Sequence, residues 1–157
     1  MFELSPQYGT FLPALIEVVT KSKGTVLELG MGIFSTPYLH FACKNRQLVS
    51  YESDKKYYDW LKVFESENHQ IHFVSSWDNV DFSGTFSVAL IDHEPTSRRK
   101  MEIKRLAQNT EYIVIHDSNT RLEKRYRYSE VYPLFKYRKD FADEKPNTTI
   151  LSNFHSI

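Results

Sequence analysis

The chain has 157 residues, 41% hydrophobic and 25% charged, a balance that suits a folded globular protein with one core rather than a disordered chain. Its 20 basic and 20 acidic side chains cancel, so no whole-molecule field selects nucleic acid or an anionic membrane, and no apolar run approaches bilayer-spanning length. The single cysteine, Cys43, excludes an internal disulfide, and Met1-Phe2-Glu3 lacks the basic start and apolar stretch of a secretory signal; a reducing, cytoplasmic setting is expected.

Residues 1–9 read as a lead-in, with Tyr8 either at the surface or folded over a ligand mouth. Residues 10–23 read as a first helix in which Leu12, Leu15, Ile16 and Val19 share a face, Pro13 is confined to the first turn and Gly24 follows the C-terminus. Then comes T-V-L-E-L-G-M-G-I-F-S-T, residues 25–36. Thr25-Val26-Leu27 favours a strand, and Gly30 and Gly32 form a turn where main chain can approach a ligand closely. Thr36 is a natural N-cap and Pro37 a natural first residue for a second helix, 37–43, whose amide end faces whatever the turn holds. A second strand, 47–51, is followed by Glu52, placed where a ribose-binding acid belongs.

Ser53 or Asp54 caps a third helix carrying Tyr57, Trp60, Leu61 and Phe64 on one face. A third strand, 70–74, alternates through Ile71 and Phe73 and ends in Ser75-Ser76-Trp77-Asp78. The near-continuous apolar run at 86–91 has the pattern of a strand covered on both faces, hence of a parallel sheet. It ends in Asp92-His93-Glu94-Pro95. A polar helix, 96–108, leads to a fifth strand, 112–115, ending in His116-Asp117-Ser118-Asn119. Beyond a charged helix at 121–132, residues 134–141 and 148–154 read as two strands of a hairpin joined through Asp143 and Pro146. Acids and histidines thus collect after the strands, where open α/β sheets bind ligands.

The E-L-G-M-G turn followed by an acid closing the second strand resembles the class I S-adenosylmethionine-dependent methyltransferases, and the resemblance covers nearly the whole chain. It implies a Rossmann-like α/β fold, a mostly parallel sheet in the order 3-2-1-4-5-7-6 with a C-terminal antiparallel hairpin, in a single domain spanning 1–157 with no separate substrate domain. The cofactor contacts it implies are Glu28, Gly30, Gly32, Ser35 and Thr36 at the turn, Glu52 and Ser53 after the second strand, Ser76 and Trp77 near the adenine, and Asp92 beside the methyl group. For Trp77 and Asp78 a plain loop role stands equally open.

The Ile-Asp near a histidine and the later Ile-His-Asp resemble the small O-methyltransferase-like branch, with its Asp-x-x-His and His-Asp segments. This implies catalytic parts for Asp92, His93, His116 and Asp117, and a Mg²⁺ site built from Asp92, Asp117 and Asn119, hard oxygen donors of the kind that ion prefers. The sequence departs from the branch in three places: His93 holds its glycine position, Pro95 its histidine position, and Asn109-Thr110 its glycine pair.

Two basic clusters are evident. Arg98, Arg99, Lys100, Lys104 and Arg105 read as a solvated helix face. Arg121, Lys124, Arg125 and Arg127 read as either a solvated face or a grip for an acidic substrate. The expected acceptor is an oxygen or nitrogen of a small molecule or sugar. A nucleic acid or other polyanion is the second reading, against which D-H-E-P stands in place of an amino-methylating Asp/Asn-Pro-Pro-Tyr/Phe motif. A non-catalytic partner subunit is the third. No membrane partner is expected, and homo-oligomer formation is left open.

Overall fold

The structure is a computed structural model that describes residues 5–157. Part of the expected lead-in, and the Met1-Phe2-Glu3 start, lie outside the described residues. Seven strands form one sheet: β1 Val26–Leu29, β2 Leu48–Glu52, β3 His69–Phe73, β4 Phe86–Ile91, β5 Thr110–Ile115, β6 Tyr137–Phe141 and β7 Thr148–Ser152. Their order is β3-β2-β1-β4-β5-β7-β6, parallel through β5 and antiparallel where β7 joins β5 and β6, as expected from the sequence.

The two-residue period of the strands sorts their side chains into two cores. Leu27, Leu29, Ala89, Ile91, Ile113 and Ile115 face one way and pack on Ile103 and Leu106 of α4 (Arg99–Leu106), with Trp77, Tyr126 and Tyr128. Val26, Val88, Leu90, Tyr112 and Val114 face the other way, against α1 (Leu12–Lys21) and α2 (Ser35–Ala42). Every β4 residue after Phe86 is buried, which is why that run carries no alternation.

Several elements differ from expectation. On α1 the buried stripe is Ala14, Leu15, Val18 and Val19, while Ile16 is exposed. The helix is apolar around more than half its girth, so its period fixes a stripe but not which side of it meets the sheet. Helix α2 begins at Ser35 rather than Pro37, and no side chain caps it, because Phe34 stands at the N-cap; Thr36 lies inside the first turn and donates to Glu28. Asp54 caps α3 (Lys55–Leu61) by accepting from the Lys56 and Tyr57 amides. On edge strand β3, Ile71 is buried but Phe73 is exposed.

The helix expected over 121–132 is broken into a single α turn, α5 (Glu123–Tyr126), and short 3₁₀ turns. Tyr126 and Tyr128 are both buried. Residues two apart lie on opposite sides of a helix, so the chain takes a left-handed step at Arg127 (φ 56°) to turn both rings inward. Strand β6 correspondingly starts only at Tyr137. Strand β7 stops at Ser152, whose hydroxyl accepts from the Phe154 and His155 amides.

Gly30 is where the first turn could take no other residue. Its φ is +91°, and a Cβ there would lie 2.6 Å from the main chain of Asp92 and His93. The glycine therefore lets β1 and the β4 loop close on each other. Gly30→Ala is expected to lose at least about 1–2 kcal/mol from the dihedral alone, with the clash adding to it; urea unfolding would measure the drop.

Candidate active site

The acid two places before Gly30 lies beneath the turn. Glu28 is fully buried, accepting from the Thr36 hydroxyl at 2.9 Å and the Ser50 hydroxyl at 2.6 Å, while the Gly32 amide donates to Thr36 Oγ1 at 3.1 Å. It braces the turn from below, and Glu28, Gly30 and Thr36 do not line the cavity above; Gly32 and Ser35 do. Burial outweighs these hydrogen bonds and pushes its pKa up to about 7 from an ordinary 4.5.

A folded-state value above the unfolded one means Glu28 contributes stability that is complete below 4.5 and is lost as pH rises through about 7. The wild type should therefore lose about 3 kcal/mol across that window that Glu28→Gln does not lose, since one unit corresponds to about 1.4 kcal/mol. Thermal melts of both proteins across the window would show it. The comparison separates Glu28 from His69, which bonds the same Ser50 at 2.8 Å and whose pKa burial pulls the opposite way, down to about 4.

Glu52 closes β2 at the cavity wall, buried to 5% exposure. Its carboxylate accepts from three main-chain amides: Met31 at 2.7 Å, Ser53 at 2.7 Å and Asp54 at 2.6 Å. It so ties the glycine turn to the start of α3. Burial raises its pKa despite those bonds. Ser53 points its hydroxyl to the Glu94 carbonyl, 3.1 Å away. Ser76 and Trp77, expected near a bound adenine, lie outside the cavity lining. Ser76 caps a 3₁₀ turn, and the buried Trp77 indole donates to the Glu94 carbonyl at 2.8 Å and packs on the His93 ring. Asp54, Tyr57 and Glu94 wall that end instead.

At the other end, the turns after β4 and β5 converge. Asp92 Oδ1 meets His116 Nδ1 at 3.2 Å and Arg99 at 3.0 Å; Asp117 Oδ2 meets Arg99 at 3.2 Å and accepts from the Tyr126 hydroxyl at 2.9 Å. Asp117 needs a left-handed backbone (φ 60°) to turn its side chain there. Burial works to raise the Asp92 pKa, but Arg99 and His116 outweigh it and hold the group below the usual carboxylate range. Burial likewise works to lower His116, and Asp92 more than offsets it, so the imidazole sits above its ordinary value. The second nitrogen of His116 faces Thr10 Oγ1 at 3.1 Å, with Phe11 edge-on to the ring. His93 turns away into the core: its Nε2 meets Glu102 at 3.2 Å, and its pKa is lowered by burial. The residue borders the cavity, but its ring is fully buried, a packing setting that differs from the catalytic one expected of it.

One cavity of about 460 Å³ joins these ends, running from Glu52, Met31 and Gly32 to Asp92, His116 and Asp117, with Tyr8, Phe11 and Pro146 alongside. No family model matches the chain, and no curated protein matches its sequence. Solved structures do match. An O-methyltransferase from Bacillus cereus in complex with SAH superposes with a TM-score of 0.66 at 14% identity, covering 96% of this chain and 82% of that one. The O-methyltransferase TomG from Streptomyces achromogenes, involved in tomaymycin synthesis and in complex with SAM, gives 0.66 at 14%, over 96% and 81%. A dimethyladenosine transferase from Plasmodium falciparum gives 0.59 at 12%, over 89% and 61%. The chain has the class I methyltransferase fold.

Within this methyltransferase fold the cavity occupies the carboxyl ends of the central strands, at the point where strand order reverses on either side of β1 and β4. Of the expected Mg²⁺ set, Asp92 and Asp117 come together, with His116 beside them. Asn119 is engaged with the hairpin, accepting from the Asn147 amide at 2.8 Å, while the metal-capable cluster among the described residues is Asp92, His116 and Asp117. The first basic cluster is a solvated face only in part, at exposed Lys104 and Arg105. Arg98 bonds Asp78 and Glu102, Arg99 both site aspartates, Lys100 Glu130, and Arg105 the carbonyls of Trp77 and Val80. Sequence reading missed Arg99, Tyr126, Thr10 and Pro146, which meet the site only through tertiary contact. Position supplied one usable signal: Arg99 falls a few residues after a strand-ending Asp.

Proposed function

We propose that the chain is an S-adenosylmethionine-dependent methyltransferase acting on an oxygen or nitrogen of a small molecule or sugar, with the whole reaction in one domain. The observation that carries this reading is the single cavity with a ribose-side carboxylate, Glu52, at one end and an Asp92–His116 pair at the other. When bound, S-adenosylmethionine supplies an electrophilic methyl on a sulfonium. Of the residues implied as contacts, Gly32, Ser35, Glu52 and Asp92 are those facing the cavity. Asp92 holds His116 through Nδ1, leaving Nε2 to take the acceptor's proton in place of the Thr10 contact. Asp117, fixed by Arg99 and Tyr126, shapes the acceptor side.

A polyanionic acceptor is the second reading. The Plasmodium neighbour's name points to a nucleoside acceptor for that protein, and Arg121 and Lys124 make no ion pair among the described residues, with Arg121 on the cavity rim. Arg125 and Arg127 are engaged with Glu94 and Glu130, which leaves few cations for a phosphate backbone and favours the small acceptor. The setting we infer is cytoplasmic: Cys43 is buried, its thiol pushed up to about 11 by burial, and no helix among the described residues is long and apolar enough to cross a membrane.

Calorimetry with S-adenosylmethionine and S-adenosylhomocysteine, then detection of the demethylated product over an acceptor panel, tests the reading. Absence of binding at millimolar ligand would overturn it. Binding without transfer to any acceptor would leave a non-catalytic partner subunit as the better account, and salt-sensitive retention on RNA would favour the polyanion.

A further inference from the structure

Between the two carboxylates at the strand ends lies a buried cation. Arg99 is 3% exposed and reaches Asp92 Oδ1 with one nitrogen and Asp117 Oδ2 with another, at 3.0 and 3.2 Å. It also donates to the main-chain carbonyls of His93 at 2.8 Å and Asp92 at 3.0 Å, and its flat face lies over the Tyr126 ring. The same two carboxylates and His116 have ligand atoms all within 4.8 Å of one another, the donor chemistry of a divalent-ion site. A divalent ion there would meet a fixed positive charge, and carboxylates that each already give one oxygen to it.

We propose that Arg99 is the resident cation of this centre, bridging the ends of β4 and β5 where a divalent ion would otherwise serve and leaving the site no use for one. A guanidinium suits the task because its planar fork binds two carboxylates at once and exchanges no ligands. Arg99 is a positioning residue: it acts through Asp92, and through Asp92 on His116. The geometric claim stands alone; its consequence, a metal-independent reaction, rests on the methyltransferase reading.

Titrating the full chain with Mn²⁺, followed by electron paramagnetic resonance and by broadening of the His116 ring signals, tests it. The wild type is expected to bind no Mn²⁺ below millimolar. Arg99→Gln keeps an amide donor and removes the charge; it is expected to gain about tenfold or more in Mn²⁺ affinity, and Mn²⁺ should raise its thermal midpoint but not that of the wild type. Micromolar binding by the wild type that broadens His116 overturns the proposal without recourse to any variant. So does a folded Arg99→Gln that gains no affinity. Once turnover is established, its persistence in excess chelator supports the proposal, and its loss with recovery on adding Mg²⁺ refutes it. Absence of turnover under every condition bears on the methyltransferase reading instead.

Discussion

Glu52→Ala is expected to weaken S-adenosylmethionine binding about a hundredfold or more. An ionised carboxylate offers roughly four lone-pair sites, and amides of Met31, Ser53 and Asp54 occupy three from the protein side. What remains faces the cavity. A hydrogen bond to a charged group contributes about 1.5–3 kcal/mol, and each 1.4 kcal/mol is about tenfold in affinity, so direct contact with ribose hydroxyls accounts for roughly 10- to 150-fold. Alanine also strands three amides that shape the glycine turn, and that loss adds to the first. Glu52→Gln should be nearly as harmful, because its NH₂ group would be aimed at amides that need an acceptor. Calorimetry gives the affinities, and the unfolding midpoint of each variant separates a damaged site from a damaged fold. Affinity within twofold of wild type for Glu52→Ala would remove Glu52 from the binding site.

His116→Asn is expected to lower turnover by about 10²- to 10⁴-fold, the usual contribution of a placed acid–base group, while cofactor affinity stays within a few-fold. Both ring nitrogens face acceptors: Asp92 Oδ1 on one side, and on the other Thr10 Oγ1, whose own proton is directed to the Pro146 carbonyl at 2.8 Å. That pattern suits the imidazolium and agrees with the raised pKa. As a base His116 must first lose a proton, so turnover should climb with pH through its raised value and level off above it. Stability runs the other way. The charged His116–Asp92 pair contributes fully below the ordinary 6.5 and is lost as pH rises through the folded value. Asp92→Asn should move the rising limb toward lower pH by removing the charge that lifts His116. A pH–rate profile for His116→Asn that keeps the wild-type limb would show that another group titrates there.

The sheet was legible because its signals are local. The near-continuous apolar 86–91 run, the turn chemistry of 30–37 and the placing of Glu52, Asp92, His116 and Asp117 at or just past strand ends each depend on a few neighbouring residues. Side-chain direction was not legible. Asp92 and His93 are adjacent, yet one faces the cavity and the other packs beneath Trp77, and nothing in D-H-E-P chooses between them. Asn119 looked available to a metal until the hairpin brought Asn147 to it. Arg99 looked like its neighbours in R-R-K because charge shows in sequence and partnership does not. The tail helix failed for a related reason: Tyr126 and Tyr128 are drawn inward together by Asp117 and the His116 carbonyl, a demand that overrides the local helical preference.

Gly32, Glu52, Asp92 and His116 belong to or follow β1, β2, β4 and β5, strands adjacent in the order β2-β1-β4-β5 rather than in chain order. No single strand or strand pair carries them all, so a half-assembled sheet holds only part of a ligand's contacts. A compound bound across the four strands therefore favours only the finished molecule, adding about 2.7 kcal/mol at a hundred times its dissociation constant. Occupancy then serves as a gauge of complete assembly: strands that share one guest must melt together.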